Sequence, residues 1–295
     1  MPCTVCGTAP SRELPFDYRF AGARFPGVAC ARCGLARLAV RPTDLAALYR
    51  TEYFDADYRC GHAAHGACDG AGEPVGDPAM MALIESLVPR GRLLEIGPAG
   101  GEFLRGARAR GWQVTGVEIS AAAARAAREN FALDVHNGEL TAAAFPAGSF
   151  DVVYMGDVLE HVPDPCAQLR EVRRILAPGG LVVIGGPTTI HSLARRLGLW
   201  LYGLLGWTKT LRAPPYHLWE FTPATLRRVV EQAGFTVRSQ RADKISPPAL
   251  GRCARAVDQL WIWPIEWLNV VVTRLTGCWG DRLVLVAQHT ERPPR

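Results

Sequence analysis

Lysine is almost missing from this sequence. Of its 33 basic residues only Lys209 and Lys244 are lysines, a bias that, with heavy alanine use, reads as genome composition rather than function. A long apolar run is missing too. The stretch around 197–207 falls well short of the ~20 residues that a membrane-spanning helix needs. The opening MPCTVCG has no basic segment leading into an apolar one, so a cytoplasmic chain is expected. No Gly-Lys-Ser/Thr follows its glycine-rich turn at 97–101, which excludes a P-loop. A hydrophobic share of 48% argues against disorder, and 295 residues leave room for one large or two modest domains.

The charge is unevenly placed. Residues 1–75 carry 8 basic and 8 acidic side chains, residues 76–190 carry 10 and 13, and residues 191–295 carry 15 and 7, so the segments hold 0, −3 and +8. Seven of the eight Trp lie in the last segment, Trp112 being the exception. The acidic middle excludes a histone-like or ribosomal-like chain. The basic, Trp-rich last third points to an anionic or interfacial partner.

Residues 1–42 are turn-rich and carry Cys3-x2-Cys6, then 23 residues, then Cys30-x2-Cys33. Two such knuckles let Cys3, Cys6, Cys30 and Cys33 reach one tetrahedral metal centre, with structural Zn2+ the expected ion. So short a segment has little apolar content, and a metal would supply the missing stability. Residues 43–79 read as a short helix followed by a Gly-rich linker. Within that stretch, Cys60, His62, His65 and Cys68 match no common metal finger, and a solvated loop is the default reading.

From Met80 strands alternate with helices: strands at 92–96, 113–119, 133–136, 150–155 and 181–185, helices at 102–110, 121–131 and 165–176. This repetition implies an α/β, doubly wound, mostly parallel sheet that binds ligands at the carboxyl ends of its strands. The first strand runs into Glu95-Ile-Gly97-Pro98-Ala99-Gly100-Gly101-Glu102. A dinucleotide fingerprint would need glycine at 99 and 102, and a carboxylate at 102 is badly placed for a pyrophosphate. The turn therefore suits a ligand without phosphates. Glu95 would favour a cationic group, and Glu118, ending the second strand, can accept from a ribose diol. An amine, a ribose and no phosphate describe S-adenosylmethionine.

The segments LLEIGPAGGEFL (93–104), GVEIS (116–120), NGEL (137–140), FDVVYMGDVLEHVPDP (150–165), LAPGGLVVIGGP (176–187) and HLWEFTPATLRRVVEQAGF (217–235) resemble the class I SAM-dependent methyltransferases. The resemblance implies a seven-stranded Rossmann-like methyltransferase sheet over 80–295, with a small N-terminal zinc-binding domain and helical lid insertions at 188–215 and 246–280. By position it places Glu95, Gly97, Pro98, Ala99, Gly100 and Gly101 along the methionine part of the cofactor. It puts Glu118 on the ribose with Ile119 beside the adenine, Glu139 and Leu140 at the adenine amine and ring, and Gly156 and Asp157 beneath. Ala99 stands where the family often has glycine. The zinc head resembles that of a bacterial group that modifies sugars, envelope components and natural products.

Methyl transfer to oxygen or carbon needs a proton removed from the acceptor. His161 and His217 are the candidate bases; Tyr53, Tyr58 and Tyr216 are weaker, and His191 belongs with a lid. Asp157, Glu160 and His161 also resemble a cluster that holds a divalent metal in ubiquinone-pathway O-methyltransferases. The acceptor is expected to be a small molecule, a glycan or a lipid-linked intermediate. Residues 188–215 and 257–279 either pack on each other, form a dimer face, or rest on a membrane, which last would place the enzyme at the inner membrane face. An RNA methyltransferase is disfavoured by the neutral head and by the absence of an Asn/Asp-Pro-Pro-Tyr motif. A non-catalytic SAM-fold binding module is disfavoured by Glu95, Gly97, Gly101 and Glu118.

Overall fold

The computed structural model describes residues 3, 5–8, 11–20, 22–40, 77–187, 190, 192–211, 217–243, 256–277 and 279–290. Strands β1 (Ser11–Phe20), β2 (Ala23–Cys30) and β3 (Ala36–Leu38) form an antiparallel meander. After helix α1 (Pro78–Leu87) the alternation begins: β4 (Arg92–Ile96), α2 (Glu102–Ala109), β5 (Gln113–Glu118), α3 (Ala121–Phe131), β6 (Val135–Asn137), β7 (Phe150–Gly156), α4 (Pro165–Ile175) and β8 (Leu176–Pro187). Then come α5 (Leu193–Leu204), β9 (Lys209–Leu211), β10 (Trp219–Glu220), α6 (Pro223–Gln232), β11 (Phe235–Asp243), α7 (Ala256–Thr276) and β12 (Arg282–His289).

The main sheet has seven strands in the order β11-β12-β8-β7-β4-β5-β6. All neighbouring pairs are parallel except those made by β12, which runs against both β8 and β11. Strands covered on both faces need unbroken apolar runs, and Leu93, Leu94, Val152, Val153, Met155, Val182 and Val183 are all sealed from solvent. Polar caps start the helices: Asp77 on α1, Ser120 on α3, Asp164 on α4 and Thr222 on α6. Proline opens α1, α4 and α6, where its missing N–H costs nothing. The third parallel strand lies two residues further along than the sequence pattern places it: Leu133 is buried, but the ladder to β5 begins at Val135.

The cysteine-bearing head is not a free-standing unit. Its sheet has the order β10-β3-β2-β1-β9, so its two edges are closed by strands from 209–211 and 219–220. Cys3, Val5, Cys30 and Leu35 share one core with Leu169 and Val172 of α4 and with Leu226 and Val229 of α6. The Gln232 side chain donates to the Val5 carbonyl. Helix α5, within the first insertion, packs against β1 and against α7.

The turn after β4 has no room to spare. Gly97 and Gly101 take φ values of +73° and +90°, and a methyl on Gly101 would stand 2.5 Å from Leu133 Cδ1. Gly101→Ala therefore combines a left-handed backbone with an overpacked core. It is expected to lower unfolding free energy by about 2–4 kcal/mol in urea titration.

Candidate functional site

The carboxyl ends of β4 and β5 bring two glutamates to one crevice. Glu118 is buried, and both of its oxygens are fixed: Oε2 accepts from the Ala99 amide at 3.0 Å and Oε1 from the Ser120 amide at 2.8 Å. The glycine turn and the second strand are thereby locked together, and the carboxylate retains lone pairs for a diol. Glu95 is buried with its Oε2 lacking any hydrogen-bond partner. Burial, reinforced by the nearby charges of Glu118 and Glu102, holds its pKa well above the ordinary carboxylate value. An unpartnered buried carboxyl at a strand end is suited to receive a cationic group.

Gly97 and Gly101 supply backbone that a side chain could not, since a methyl on Gly97 would meet Val158 Cγ2 at 2.6 Å. Ala99 adopts φ +47°, so the residue that departs from the family's glycine occupies a left-handed position. It keeps its amide on Glu118 despite the strain. Pro98 and Gly100 are buried, Ile119 and Gly156 half-buried, Leu140 buried and Glu139 exposed. The Asn137 amide donates to the Glu118 and Ile119 carbonyls, which holds β6 and the 3-10 turn Leu140–Ala143 beside β5.

The residues predicted for the acceptor side separate into two groups. Asp157, at φ +54°, is engaged by the Arg282 guanidinium, which reaches both its oxygens at 2.8 and 3.0 Å. Glu160, His161 and His217 gather instead around one another. Their ligand atoms all lie within 4.8 Å, and the two imidazoles stand edge to face, 5.1 Å apart. Such a Glu-His-His set can serve either a proton or a divalent ion. Burial, with the nearby charge of Asp157, pushes Glu160 up to about 8 although His217 pulls the other way. For His217, desolvation works downward, but the Glu220 carboxylate at 3.8 Å and Glu160 outweigh it, so its pKa lies above the usual imidazole value.

Three participants escape a sequence reading. Glu220 lies three residues from His217 in an extended segment, a spacing that could have signalled the pair. Trp219 donates its indole N–H to the Val162 carbonyl at 2.8 Å, and the amides of Leu218 and Trp219 donate to the Glu160 carbonyl. Arg282 is 125 residues from Asp157 and carries no local sign of the pairing. Cys60, His62, His65, Cys68, Tyr53, Tyr58, Tyr216 and His191 lie outside the described residues.

The four head cysteines converge. Cys3 and Cys33 have their sulfurs 3.5 Å apart, Cys6 and Cys30 3.4 Å, and all four lie within 4.8 Å of one another as free thiols. Sulfurs around a tetrahedral ion with bonds of ~2.3 Å are separated by about 3.8 Å, so the cage is of the right size for zinc.

Known proteins share the family and the fold of this chain. Residues 93–240 fall inside a match to the methyltransferase-domain family model, which spans residues 77–240. A ubiquinone biosynthesis O-methyltransferase of Alkalilimnicola ehrlichii is 30% identical over 166 residues, covering 53% of this chain and 65% of that protein. One from Aromatoleum aromaticum is 31% identical over 153 residues, covering 48% and 63%. The chain thus spans under two thirds of the length of these relatives. Among solved structures, a SAM-dependent methyltransferase of Thermotoga maritima, described as a possible histamine N-methyltransferase, superposes with a TM-score of 0.53 at 20% identity. It covers 81% of this chain and 98% of that one. A SAM-dependent methyltransferase of Archaeoglobus fulgidus gives 0.52 at 18%, covering 80% and 97%. These two likenesses establish the fold. With its family model matched over more than half of its length, on the same turn and strand ends that carry Glu95, Glu118 and Glu160, this chain belongs to the methyltransferase-domain family.

Proposed function

We propose that the chain transfers a methyl group from S-adenosylmethionine to a small-molecule, sugar or lipid-linked acceptor in envelope or natural-product biosynthesis, working in the cytoplasm by the inner membrane face. The observation that carries this reading is the pair of glutamates flanking the Gly97–Gly101 turn. Glu95 is buried and unpartnered, and Glu118 is pinned by two amides. When bound, S-adenosylmethionine supplies an electrophilic methyl on a sulfonium. Glu95 would neutralise its positive charge, Glu118 would hold its ribose, and Ile119, Leu140 and Glu139 would border its adenine. Gly156 and Asp157 would form the floor, with Asp157 kept in place by Arg282.

His217 takes the acceptor proton in this reading, with His161 5.1 Å away as its neighbour. Glu220 and Glu160 favour the imidazolium that results. The same carboxylates mean that His217 becomes a free base only at pH values above the ordinary imidazole range. In the head, Cys3, Cys6, Cys30 and Cys33 would hold a structural zinc ion that braces β2 and β3, the latter paired with β10 beside His217.

Glu118→Ala should weaken S-adenosylmethionine binding about 10–100-fold by isothermal titration; unchanged affinity would remove the cofactor assignment. Because burial raises the Glu95 pKa and a bound cation would lower it, binding should release protons at pH values above the ordinary carboxylate range. Titration in buffers of different ionisation enthalpy should show the release in the wild type and not in Glu95→Gln. The rising limb of kcat against pH should lie above the usual imidazole pKa and move toward acid in Glu220→Gln.

Glu160 makes a separate stability prediction. Its folded pKa of about 8 exceeds the unfolded value near 4.5, so the native state holds the extra proton. Its contribution to stability is present below about pH 4.5 and is lost as pH rises toward 8. Denaturation of Glu160→Gln across that window should show a flatter decline than the wild type.

A further inference from the structure

Fourteen large hydrophobic side chains are exposed among the described residues, and twelve of them belong to α5, α7 and the turns that follow them. On α5 these are Leu197, Trp200, Leu201 and Leu204, spaced i, i+3, i+4 and i+7, so they form one stripe along the helix. Trp200 is 62% exposed and Leu204 68%. Leu205 and Trp207 extend the stripe into the next turn.

Helix α7 buries only one apolar side chain among its described residues, Val270, and buries polar ones beside it. Asn269 and Thr273, four residues apart, are its buried polar pair, with the Thr273 hydroxyl donating to the Asn269 side-chain oxygen. Its apolar residues Trp267, Leu268, Val271 and Leu275 face outward, Leu275 at 80% exposure. A water-facing helix shows the opposite arrangement, with polar residues out. Since α5 and α7 pack against each other, the two stripes belong to one region of the surface. The patch is too large to be scattered surface apolarity. No helix among the described residues is long and apolar enough to cross a membrane.

Charge decides what covers the patch. No acidic residue occurs between Pro187 and Trp219, while Arg195, Arg196 and Lys209 are exposed there and Arg274 is exposed on α7. A two-fold contact that set α5 against its own copy would press these cations together with no acid from α5 to answer them; the sequence of α7 holds Asp258 and Glu266 beside Arg274. An anionic bilayer offers both requirements together: hydrocarbon for Trp and Leu, and phosphate for Arg and Lys.

We infer that α5 and α7 form a docking surface for an anionic lipid bilayer, with the helices lying in the interface plane and Trp200, Trp207 and Trp267 at headgroup depth. The surface extends the methyltransferase reading and for its purpose rests on it. Helix α5 begins six residues after Pro187, where β8 ends at the carboxyl edge of the sheet that carries the site. Docking there would bring the acceptor side against the membrane and admit an amphiphilic acceptor without its leaving the lipid.

The test is co-sedimentation of the full chain with phosphatidylglycerol-containing vesicles and with phosphatidylcholine vesicles, at low and high salt. S-adenosylmethionine titration of each protein sample reads the cofactor site independently. Binding should require phosphatidylglycerol and fall with salt. Arg195→Gln/Arg196→Gln should lower the partition coefficient by on the order of tenfold or more, at about fivefold per cation. Leu204→Glu/Leu275→Glu should abolish it with cofactor binding intact. Failure to sediment with anionic vesicles overturns the proposal, as does a vesicle-free dimer that Leu204→Glu/Leu275→Glu dissolves. Sedimentation without cofactor binding overturns the methyltransferase reading and leaves the docking surface standing.

Discussion

Three glutamates sealed from water at the carboxyl edge of a parallel sheet set the terms for the rest of this structure. Glu95, Glu118 and Glu160 end or follow β4, β5 and β7, and each is largely desolvated. Low-dielectric surroundings penalise the ionised form, and neighbouring negative charge adds to the penalty. The protein answers each one differently. Backbone amides satisfy Glu118. Imidazoles attend Glu160. Glu95 is left for a cation from outside. A site organised around deficits of positive charge is a natural receiver for a sulfonium, whose charge is lost when its methyl leaves.

The Glu160, His161 and His217 cluster depends on the cysteine-rich head rather than on the main sheet alone. Cys3 and Cys6 precede β1, Cys30 ends β2 and Cys33 leads into β3; β3 pairs with β10, and β10 carries Trp219 and Glu220 against Val162 and His217. His217 is thus held by Glu220 of the strand that follows it, while Glu160 is held through its carbonyl by the amides of Leu218 and Trp219. Glu95 and Glu118 hang instead on β4 and β5, which pair with no strand of the head sheet.

What could be read from the residues follows from the range of the forces involved. Strand-to-helix alternation and the glycine turn are local patterns, and they place Glu95, Gly97, Gly101 and Glu118 where the fold puts them. The knuckle spacing brings four sulfurs together in the same way. Interactions that join distant segments leave no local trace. Asp157 looks like a partner of Glu160 and His161 by spacing, yet Arg282 engages it from β12. Likewise, the edge strands β9 and β10 are too short to stand out, and only their pairing with β1 and β3 makes them strands. Trp267, Leu268, Val271 and Leu275 of α7 look like core by composition; their outward orientation appears only once Asn269, Val270 and Thr273 are seen to be the buried face.

The head sheet also imposes an order on assembly. Its middle three strands come from residues 11–38, but both outer strands come from residues 209–220. During synthesis the meander emerges long before the segments that close its sides, so β1 and β3 present open pairing edges in the interval. Contacts that span nearly two hundred residues form slowly. The head therefore closes only after residue 220 has been made, although its own three strands are made first, and the Glu160, His161 and His217 cluster that leans on it waits for the same segment.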